Sequence, residues 1–338
     1  MSPFGIPVAM PLAAVVGHDT AKRQLARARA GPRQAHAYLF DGPSGVGKKT
    51  LALAFAQALL CETGGHDACD RCPSCVRSAR GVHPYLFFFS RPSSDRDISI
   101  ESLRQEAELD RKIALKPFGS PYKIILIDDA EALSADAANW LLKILEEPPP
   151  QTIFLLVTAV RRQLPVTILS RCQRVRCGRL SPEETRRVLV ERASVPAEEA
   201  DRLLPFADGA PGRALALRES GAVDLLGPVR DLFADFARGT YGHRLDQMVK
   251  AYDLKKTDAA ETRRCVRMLL SAAAEEIASA LRGAVPPPPV RAWAHRAGPE
   301  RMVDALERLL VAMSAIERNA NSMIVLEAAF GDLAAAAQ

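Results

Sequence analysis

Short apolar segments alternate with helical patterns through the first half of the chain. The apolar runs lie at 36–40, 86–90, 123–127 and 153–157. Helical segments stand at 50–60 and at 134–147, and the second begins with Ser134 as its N-cap and is followed by three prolines. Continuous apolar strands separated by helices are typical of a parallel sheet that is covered on both faces. The pattern therefore predicts an α/β fold for about residues 1–178.

After the sheet region the pattern becomes helical. Ser181 is followed by a proline and two glutamates, which is the arrangement of a helix start. The segment 208–212 indicates a break between helices, and the prolines at 286–289 predict a stiff loop. The apolar and polar alternation of a strand does not occur there. We therefore place a small helical domain at 179–220 and an all-helical C-terminal domain at 221–338.

Composition and charge narrow the function classes. Hydrophobic residues make up 48% and charged residues 25% of the chain, as expected of a globular protein. No apolar run approaches the roughly 18 residues that a membrane span needs. The N-terminus contains prolines and lacks the basic start of a signal peptide, so we expect a cytoplasmic protein without membrane contact. Six arginines and no acidic residue fall within 161–179, which predicts either a solvated basic face or a surface that meets phosphates.

A glycine-rich segment follows the first apolar run and precedes a helix. It reads Gly42-Pro-Ser-Gly-Val-Gly-Lys48, and this order of strand, loop and helix is the one that a P-loop requires. Gly42, Gly45 and Gly47 would let backbone N–H groups close around phosphate oxygens, and the helix N-terminus adds its positive end. Lys48 is expected to reach the β- and γ-phosphates of ATP or ADP. A glycine turn that binds nothing is the alternative.

The segment departs from the P-loop pattern where Mg²⁺ would be held. Lys49 takes the position after the loop lysine, where a Ser or Thr hydroxyl holds the metal in P-loop enzymes. Thr50 lies one residue later, about 100° further around the helix, and we expect it to point elsewhere. Lys49 also brings positive charge to the place of a cation. Nucleotide binding stays open, and metal-assisted hydrolysis is not expected.

The apolar run at 123–127 ends in carboxylates. Asp128 fits the Walker B aspartate that orients Mg²⁺ and its waters. Asp129 stands where AAA+ ATPases carry a glutamate that activates the attacking water, and its side chain is about one methylene shorter. Because general-base geometry tolerates little displacement, Asp129 also argues against hydrolysis. The alternative is a cluster that caps the next helix, and this is the role we expect of Glu131.

Four of the seven cysteines form a cluster. They are Cys61, Cys69, Cys72 and Cys75, separated by seven, two and two residues. In a cytoplasmic chain such a cluster suggests a metal before disulfides, and four thiolates can close a tetrahedral structural zinc site. His66 lies inside the loop and could replace one thiolate, and free or redox cysteines are the alternative. Because four protein ligands leave no open position, a catalytic role for the metal is not expected.

Together these motifs resemble the δ′ (delta-prime) family of bacterial DNA polymerase III clamp-loader subunits, which are AAA+ proteins. A P-loop helix that runs into a four-cysteine module is typical of their first domain. The other matching segments are 127–131 followed by 137–149, Gly81-Val-His-Pro84, Ser170-Arg-Cys172, Asn319-Ala-Asn321 and Leu326-Glu327. The resemblance covers nearly the whole chain, although the cysteine interval in the family is often one residue longer.

The resemblance implies an AAA+ fold with a helical lid domain and a helical C-terminal collar. It implies a hetero-pentamer with ATPase (γ or τ) subunits and a δ subunit, which loads the sliding clamp on primer–template DNA. It implies no ATPase activity of this chain. Arg171 matches the arginine finger that is offered to the ATP of a neighbour. Thr158 matches the sensor 1 region, and Arg213 matches the sensor 2 position.

Two alternatives to a scaffold that supplies an arginine finger stay open. The first is a catalytically active ATPase subunit of the γ/τ kind, against which Lys49 and Asp129 argue. The second is a zinc-dependent DNA-binding protein, which would bind DNA with an affinity that falls as salt rises.

Overall fold

The computed structural model describes residues 9–31, 34–91, 97–99, 117, 120–219, 225–236, 238–252, 259–283, 286–318 and 320–337. Asn319, part of one matching segment, lies outside the described residues. The chain forms two compact units, of which the first comprises 1–194 with 209–212 and the second comprises 195–208 with 213–338. The three-domain division with boundaries at 178 and 220 stays a prediction.

A five-stranded parallel sheet forms the centre of the first unit. Its strands are β1 (Ala37–Asp41), β2 (Leu86–Phe89), β3 (Lys123–Ile127), β4 (Thr152–Thr158) and β5 (Gln173–Arg176). They lie in the order β2-β3-β4-β1-β5. Four of them are the predicted apolar runs, and the α/β prediction is confirmed. Because the strands are parallel, the P-loop, the carboxylates after β3 and the end of β4 meet at one edge of the sheet.

The sequence pattern missed the strand β5. Only Val175 of its four residues is buried, and the strand lies at an edge of the sheet beside β1. Its other residues, Gln173, Arg174 and Arg176, are exposed. An edge strand with one buried side chain leaves no apolar run in the sequence. Because β5 contains two arginines, its residues were assigned to the basic segment and not to a strand.

Helices cover both faces of this sheet. The helices of the first unit are α1 (Asp19–Ala30), α2 (Lys48–Leu60), α3 (Pro73–Ala79), α4 (Ala135–Glu146), α5 (Val166–Leu169) and α6 (Pro182–Arg187). Successive side chains of β3 point to opposite faces of the sheet. Ile124 and Leu126 pack with α2, whereas Ile125 and Ile127 pack with α4. Ser134 caps α4 by accepting from the Ala137 N–H at 3.2 Å, as predicted. Both faces are therefore buried, which explains the continuous apolar runs.

The second unit is helical in its described part. Its helices are α7 (Ala197–Ala207), α8 (Pro211–Glu219, whose first two residues belong to the first unit), α9 (Leu226–Phe236), α10 (Tyr241–Ala251), α11 (Ala259–Leu281), α12 (Pro288–Glu317) and α13 (Ser322–Ala336). Trp293 anchors the core, because its ring nitrogen donates to the Leu333 carbonyl at 2.8 Å and its ring lies 5.1 Å from that of Phe233. The loop prediction for 286–289 was wrong in part, since Pro288 and Pro289 form the first turn of α12. The backbone N–H groups of a first turn have no partner within the helix, so a proline there costs no hydrogen bond.

None of the helices in the described part of the chain combines the length and the apolarity that crossing a bilayer requires.

Candidate functional site

The glycine-rich loop joins β1 to α2. Gly45 and Gly47 have φ values of 78° and 99°, which residues with side chains rarely adopt. Gly42 lies against the backbone of Cys177, and a Cβ on Gly42 would come within 1.9 Å of the Cys177 carbonyl oxygen. The three glycines therefore permit the shape of the loop, and phosphate binding by it stays a prediction.

Two residues outside the loop brace it. His18 Nε2 lies 2.8 Å from the Val46 carbonyl oxygen. The Gly212 N–H donates to the Gly45 carbonyl at 2.9 Å, and a Cβ on Gly212 would lie 2.9 Å from Gly45 Cα. Sequence reasoning missed both braces, and its only signal was the glycine at the end of the break at 208–212.

Lys48 lies within the loop. Its side chain is almost fully buried, and its Nζ donates to the Pro43 carbonyl at 2.8 Å. Burial lowers the pKa of Lys48, and the charges of Cys177 and of nearby carboxylates counteract part of that shift. One of the three N–H groups of the ammonium is thus engaged by its own loop.

Lys49 and Asp128 form an ion pair at the position predicted for Mg²⁺. Lys49 Nζ lies 3.3 Å from Asp128 Oδ2, and it lies 4.4 Å from the centroid of the Phe88 ring. The Asp128 N–H donates to the Phe89 carbonyl at 2.8 Å, which fixes the end of the strand. Thr50 follows in the first turn of α2 and is half-buried. The predicted metal-binding aspartate therefore already has a cation as its partner.

The two acidic residues after Asp128 differ in their surroundings. Asp129 has a φ of 52°, and burial, together with the carboxylates of Asp128 and Glu131, raises its pKa. Glu131 does not cap the next helix, so this expectation was wrong. Its Oε1 accepts from the Ala159 N–H at 2.9 Å, and its Oε2 is buried and has no hydrogen-bond partner among the described residues. Glu131 thus ties the segment after β3 to the end of β4, and Ser134 alone provides the side-chain cap of α4.

Thr158 ends β4 opposite Asp41 of β1. Its side chain is fully buried, and its hydroxyl oxygen accepts from the Val160 N–H at 3.1 Å. The hydroxyl therefore shapes the turn after β4. Its role as part of a sensor 1 region stays a prediction.

Arg171 follows α5 on the surface of the first unit. Its Nη2 donates to Glu146 Oε1 at 3.0 Å, and its Nη1 donates to the Thr167 carbonyl at 3.0 Å. The side chain is 34% exposed. Elsewhere in the basic segment, Arg174 pairs with Asp41, so the segment is not a uniformly solvated face. Arg171 is presented at the surface with one carboxylate partner that a stronger anion could replace.

Arg213 lies in the second unit at the start of α8. Its guanidinium pairs with both carboxylate oxygens of Glu275 on α11. Arg282 joins the same carboxylate at 3.0 Å and reaches Asp208 at 3.2 Å. The four side chains form one ion-pair cluster. Contact of Arg213 with a nucleotide stays a prediction.

The four clustered cysteines meet between α2 and α3. Their sulfur atoms all lie within 4.8 Å of one another, and those of Cys69 and Cys75 are 4.0 Å apart. Four thiolates bound tetrahedrally at about 2.3 Å from zinc stand about 3.8 Å apart, so the donor set fits this metal. His66 is exposed and lies outside the group.

Backbone N–H groups point at three of these sulfurs. The N–H groups of Cys69, Cys72 and Cys75 donate to Cys61, Cys69 and Cys72 at 3.4, 3.3 and 3.4 Å. The backbone of Arg71, followed by Thr63 and Cys72, lowers the pKa of Cys69 to about 6. Burial raises the pKa of Cys75. The three N–H donors thus stabilise thiolate charge on Cys61, Cys69 and Cys72, as a metal ligand needs, whereas burial of Cys75 favours its neutral thiol.

A buried polar chain fixes the cysteine module to the sheet. The Tyr85 N–H donates to His83 Nδ1 at 3.2 Å, His83 Nε2 lies 2.7 Å from Ser74 Oγ, and Ser74 Oγ donates to the Leu60 carbonyl at 2.7 Å. Burial, followed by the charge of Arg77, lowers the pKa of His83 to about 4. His83 is therefore neutral and carries its proton on Nε2. In the sequence, Gly81-Val-His-Pro84 is only one of the segments that resemble the clamp-loader family. The contact of its histidine with α3 could not be predicted from that resemblance.

Comparisons with known proteins find similarity to subunits of DNA polymerase III. Residues 17–181 match the family model described as DNA polymerase III, delta subunit. The DNA polymerase III subunit delta' of Pseudomonas aeruginosa is 34% identical over 201 residues, which cover 56% of this chain and 57% of that protein. The subunit delta' of Bacillus subtilis is 37% identical over 161 residues, which cover 47% of each protein. The subunit tau of Bacillus subtilis is 35% identical over 170 residues, which cover 50% of this chain and 29% of that protein.

The chain thus spans about half the length of the delta' relatives and less of the tau relative. Among solved structures, a DNA polymerase III gamma subunit-related protein of Thermotoga maritima superposes with a TM-score of 0.45 at 16% identity, covering 95% of this chain and 99% of that one.

Proposed function

We propose that the chain acts as a δ′-type clamp-loader subunit of DNA polymerase III, because residues 17–181 match the family model and the delta' relatives are 34% and 37% identical. In this role it does not hydrolyse ATP, and it offers Arg171 to the ATP of a neighbouring subunit. The observation that carries the proposal is the ion pair between Lys49 and Asp128, with 3.3 Å between Nζ and Oδ2.

The ion pair argues against hydrolysis at the chain's own P-loop. P-loop enzymes hold Mg²⁺ between the hydroxyl after the loop lysine and the strand-end aspartate. Here the hydroxyl is absent, and the aspartate neutralises Lys49. Two unit charges 4 Å apart interact by about 4 kcal/mol at an effective dielectric constant of about 20, so a divalent ion beside Lys49 would be strongly disfavoured. These residues do not fit Mg²⁺, and a role in ATP chemistry must come from elsewhere in the chain.

Arg171 supports a role on a neighbour's ATP. A guanidinium stays charged and presents a planar fork to phosphate oxygens, on which charge builds during phosphoryl transfer. Arg171 is partly exposed, and Glu146, its charged partner within the described part of the chain, is itself 48% exposed. Exposed ion pairs contribute about 0–1 kcal/mol, so exchange of Glu146 for a polyphosphate is energetically accessible.

The proposed assembly rests on the similarity of this chain to clamp-loader subunits. We propose ATPase (γ or τ) and δ subunits as partners in a hetero-pentamer, with the sliding clamp and primer–template DNA reached through that assembly. The parallel-sheet domain supplies the surface that carries Arg171. The helical region, divided into a lid at 179–220 and a collar at 221–338, supplies contacts that hold the subunits together.

The cysteine cluster is proposed as a structural zinc site. Cys61, Cys69, Cys72 and Cys75 would each supply one thiolate, and zinc would contribute to the folding of the loop between α2 and α3. With four protein ligands it leaves no position for a substrate.

A γ/τ-type ATPase is the second candidate, because the subunit tau of Bacillus subtilis is as similar in sequence as the delta' relatives. Turnover of ATP by the purified chain alone separates the two candidates. We expect phosphate release no faster than that of a Lys48→Ala variant, which lacks the loop lysine. The variant Lys49→Thr with Asp129→Glu restores both missing groups, and it serves as the reference for what this fold can hydrolyse. Turnover by the unmodified chain well above the Lys48→Ala level would favour the γ/τ assignment.

A further inference from the structure

The described residues hold the Lys49 ammonium in a fixed place at the end of β3. Its Nζ lies 3.3 Å from Asp128 Oδ2 and 4.4 Å from the centroid of the Phe88 ring. A carboxylate and the face of an aromatic ring both attract a cation. Although the Lys49 side chain is 29% exposed, two partners therefore position its charge, and it does not extend freely into solvent.

This place is the one in which P-loop enzymes bind Mg²⁺. In those proteins the residue after the loop lysine and the strand-end aspartate hold the same metal ion. Here the corresponding positions, Lys49 and Asp128, contact each other directly. A metal ion could enter only by displacing Lys49 from Asp128 and then lying beside its charge.

The phosphate-binding part of the loop is nevertheless preserved. Gly45 and Gly47 have positive φ values, a conformation that glycine-rich phosphate loops use, and the Gly212 N–H donates to the Gly45 carbonyl. The Lys48 ammonium donates one hydrogen bond to the Pro43 carbonyl, and with three N–H groups it can donate to a phosphate oxygen as well. The loop thus offers two adjacent lysines and the N-terminus of α2 to an anion.

We propose that this P-loop binds a nucleoside di- or triphosphate without a divalent cation, with the Lys49 ammonium in the place of Mg²⁺. The proposal rests on the non-hydrolysing role described above and states which form of ligand the site takes. A single ammonium neutralises phosphate charge, but it cannot coordinate several oxygens in octahedral geometry as Mg²⁺ does. The nucleotide is therefore held as a structural ligand that stabilises the loop.

Calorimetric titration of the full chain with ADP and with ATP tests the proposal, once in Mg²⁺ and once in EDTA. We expect dissociation constants that differ by less than about threefold between the two conditions. The variant Lys49→Thr should bind about tenfold or more weakly in EDTA than in Mg²⁺. Lys143→Thr on the exposed face of α4 is the matched control, and it should behave as the unmodified chain.

A second readout uses Mn²⁺ in place of Mg²⁺. Electron paramagnetic resonance should show no protein-bound Mn²⁺ in the nucleotide complex of the unmodified chain, and a bound signal should appear in Lys49→Thr. Absence of nucleotide binding in both conditions would overturn the proposal. So would binding by the unmodified chain that Mg²⁺ strengthens about tenfold or more.

These outcomes are independent of the proposed clamp-loader role. A chain that joins its partners and stimulates their ATP turnover through Arg171, but needs Mg²⁺ to bind nucleotide, contradicts only this inference. A chain that binds nucleotide in EDTA but neither assembles nor stimulates contradicts only the proposed role.

Discussion

Arg171 donates from Nη2 to Oε1 of Glu146 at 3.0 Å, so the proposed arginine finger is held by a carboxylate of its own chain when no neighbour is present. Glu146 is the last residue of α4, directly before the glutamate and prolines that follow this helix. In the proposed role, a neighbour's ATP would compete with this carboxylate. The pair therefore sets how readily Arg171 becomes available.

Glu146→Gln should increase the availability of Arg171. Because an exposed ion pair contributes about 0–1 kcal/mol, we expect ATP turnover of the reconstituted complex to stay unchanged or to rise by up to about fivefold. Glu147→Gln, at the adjacent exposed glutamate, is the control and should have no effect. A loss of turnover in Glu146→Gln as large as that in an Arg171 variant would show that Glu146 is needed for the action of Arg171.

The cysteine cluster should contain one zinc ion per chain. Metal analysis of the purified protein should give close to stoichiometric zinc, and Cys72→Ser should lower both the zinc content and the melting temperature. Cys265→Ser, on α11 of the second unit, should change neither. Metal-free protein with four reactive thiols at 61–75 would contradict the prediction.

Acid should destabilise the chain through His83. Its pKa is lowered to about 4 in the folded state from an ordinary value near 6.5, so the unfolded state binds the proton more readily. The contribution of neutral His83 is complete above about pH 6.5 and is lost as the pH falls towards 4, at about 1.4 kcal/mol per pH unit within this window. Urea unfolding between pH 7 and pH 5 measures this slope.

His83→Gln is the control for that slope. It removes the titrating group, whereas acid release of a bound metal affects both proteins alike. The free energy of unfolding of the variant should therefore fall less steeply with pH. Equal slopes for the two proteins would exclude His83 as the titrating group.

Gly212→Ala should disturb the P-loop. Its Cβ would lie 2.9 Å from Gly45 Cα, so loop or helix must shift, at a cost of about 1–3 kcal/mol in the free energy of unfolding. Gly227→Ala is the matched control, because a Cβ there meets no atom within 4 Å. Gly212→Ala should unfold at a lower temperature than Gly227→Ala. A Gly212→Ala variant as stable as the unmodified chain would contradict the packing described.

Much of this arrangement was predictable because local sequence determines it. The run at 123–127 matches β3 residue for residue, and Ser134 marks the start of α4, because buried strands and helix caps impose their residue types. Three features depend on contacts distant in sequence. β5 is an edge strand with one buried residue, Glu131 bonds to Ala159 instead of its own helix, and Gly212 packs on Gly45. A local sequence pattern does not indicate which distant residue a strand, side chain or glycine will contact.

The ion pair between Lys49 and Asp128 was predictable in part: its two residues could be identified from the sequence, but their contact could not. Lys49 was recognised as a departure from the pattern, and Asp128 was recognised as a metal-binding candidate. Their direct contact could not be predicted, because a lysine side chain at this position could equally extend into solvent. The contact joins the departure at Lys49 to the otherwise regular Asp128, and together they argue against Mg²⁺ binding.

ATP turnover by the reconstituted clamp-loader complex carrying Arg171→Ala tests the central claim most directly. Arginine fingers of GTPases contribute about 10³–10⁵ in rate, which is an upper guide, and we expect turnover stimulated by clamp and DNA to fall by about tenfold or more while the complex still assembles. Arg171→Lys should not restore it fully, because lysine lacks the planar fork. Arg162→Ala, at another exposed arginine of the basic segment, should leave turnover unchanged. Unchanged turnover in a fully assembled Arg171→Ala complex would contradict the account.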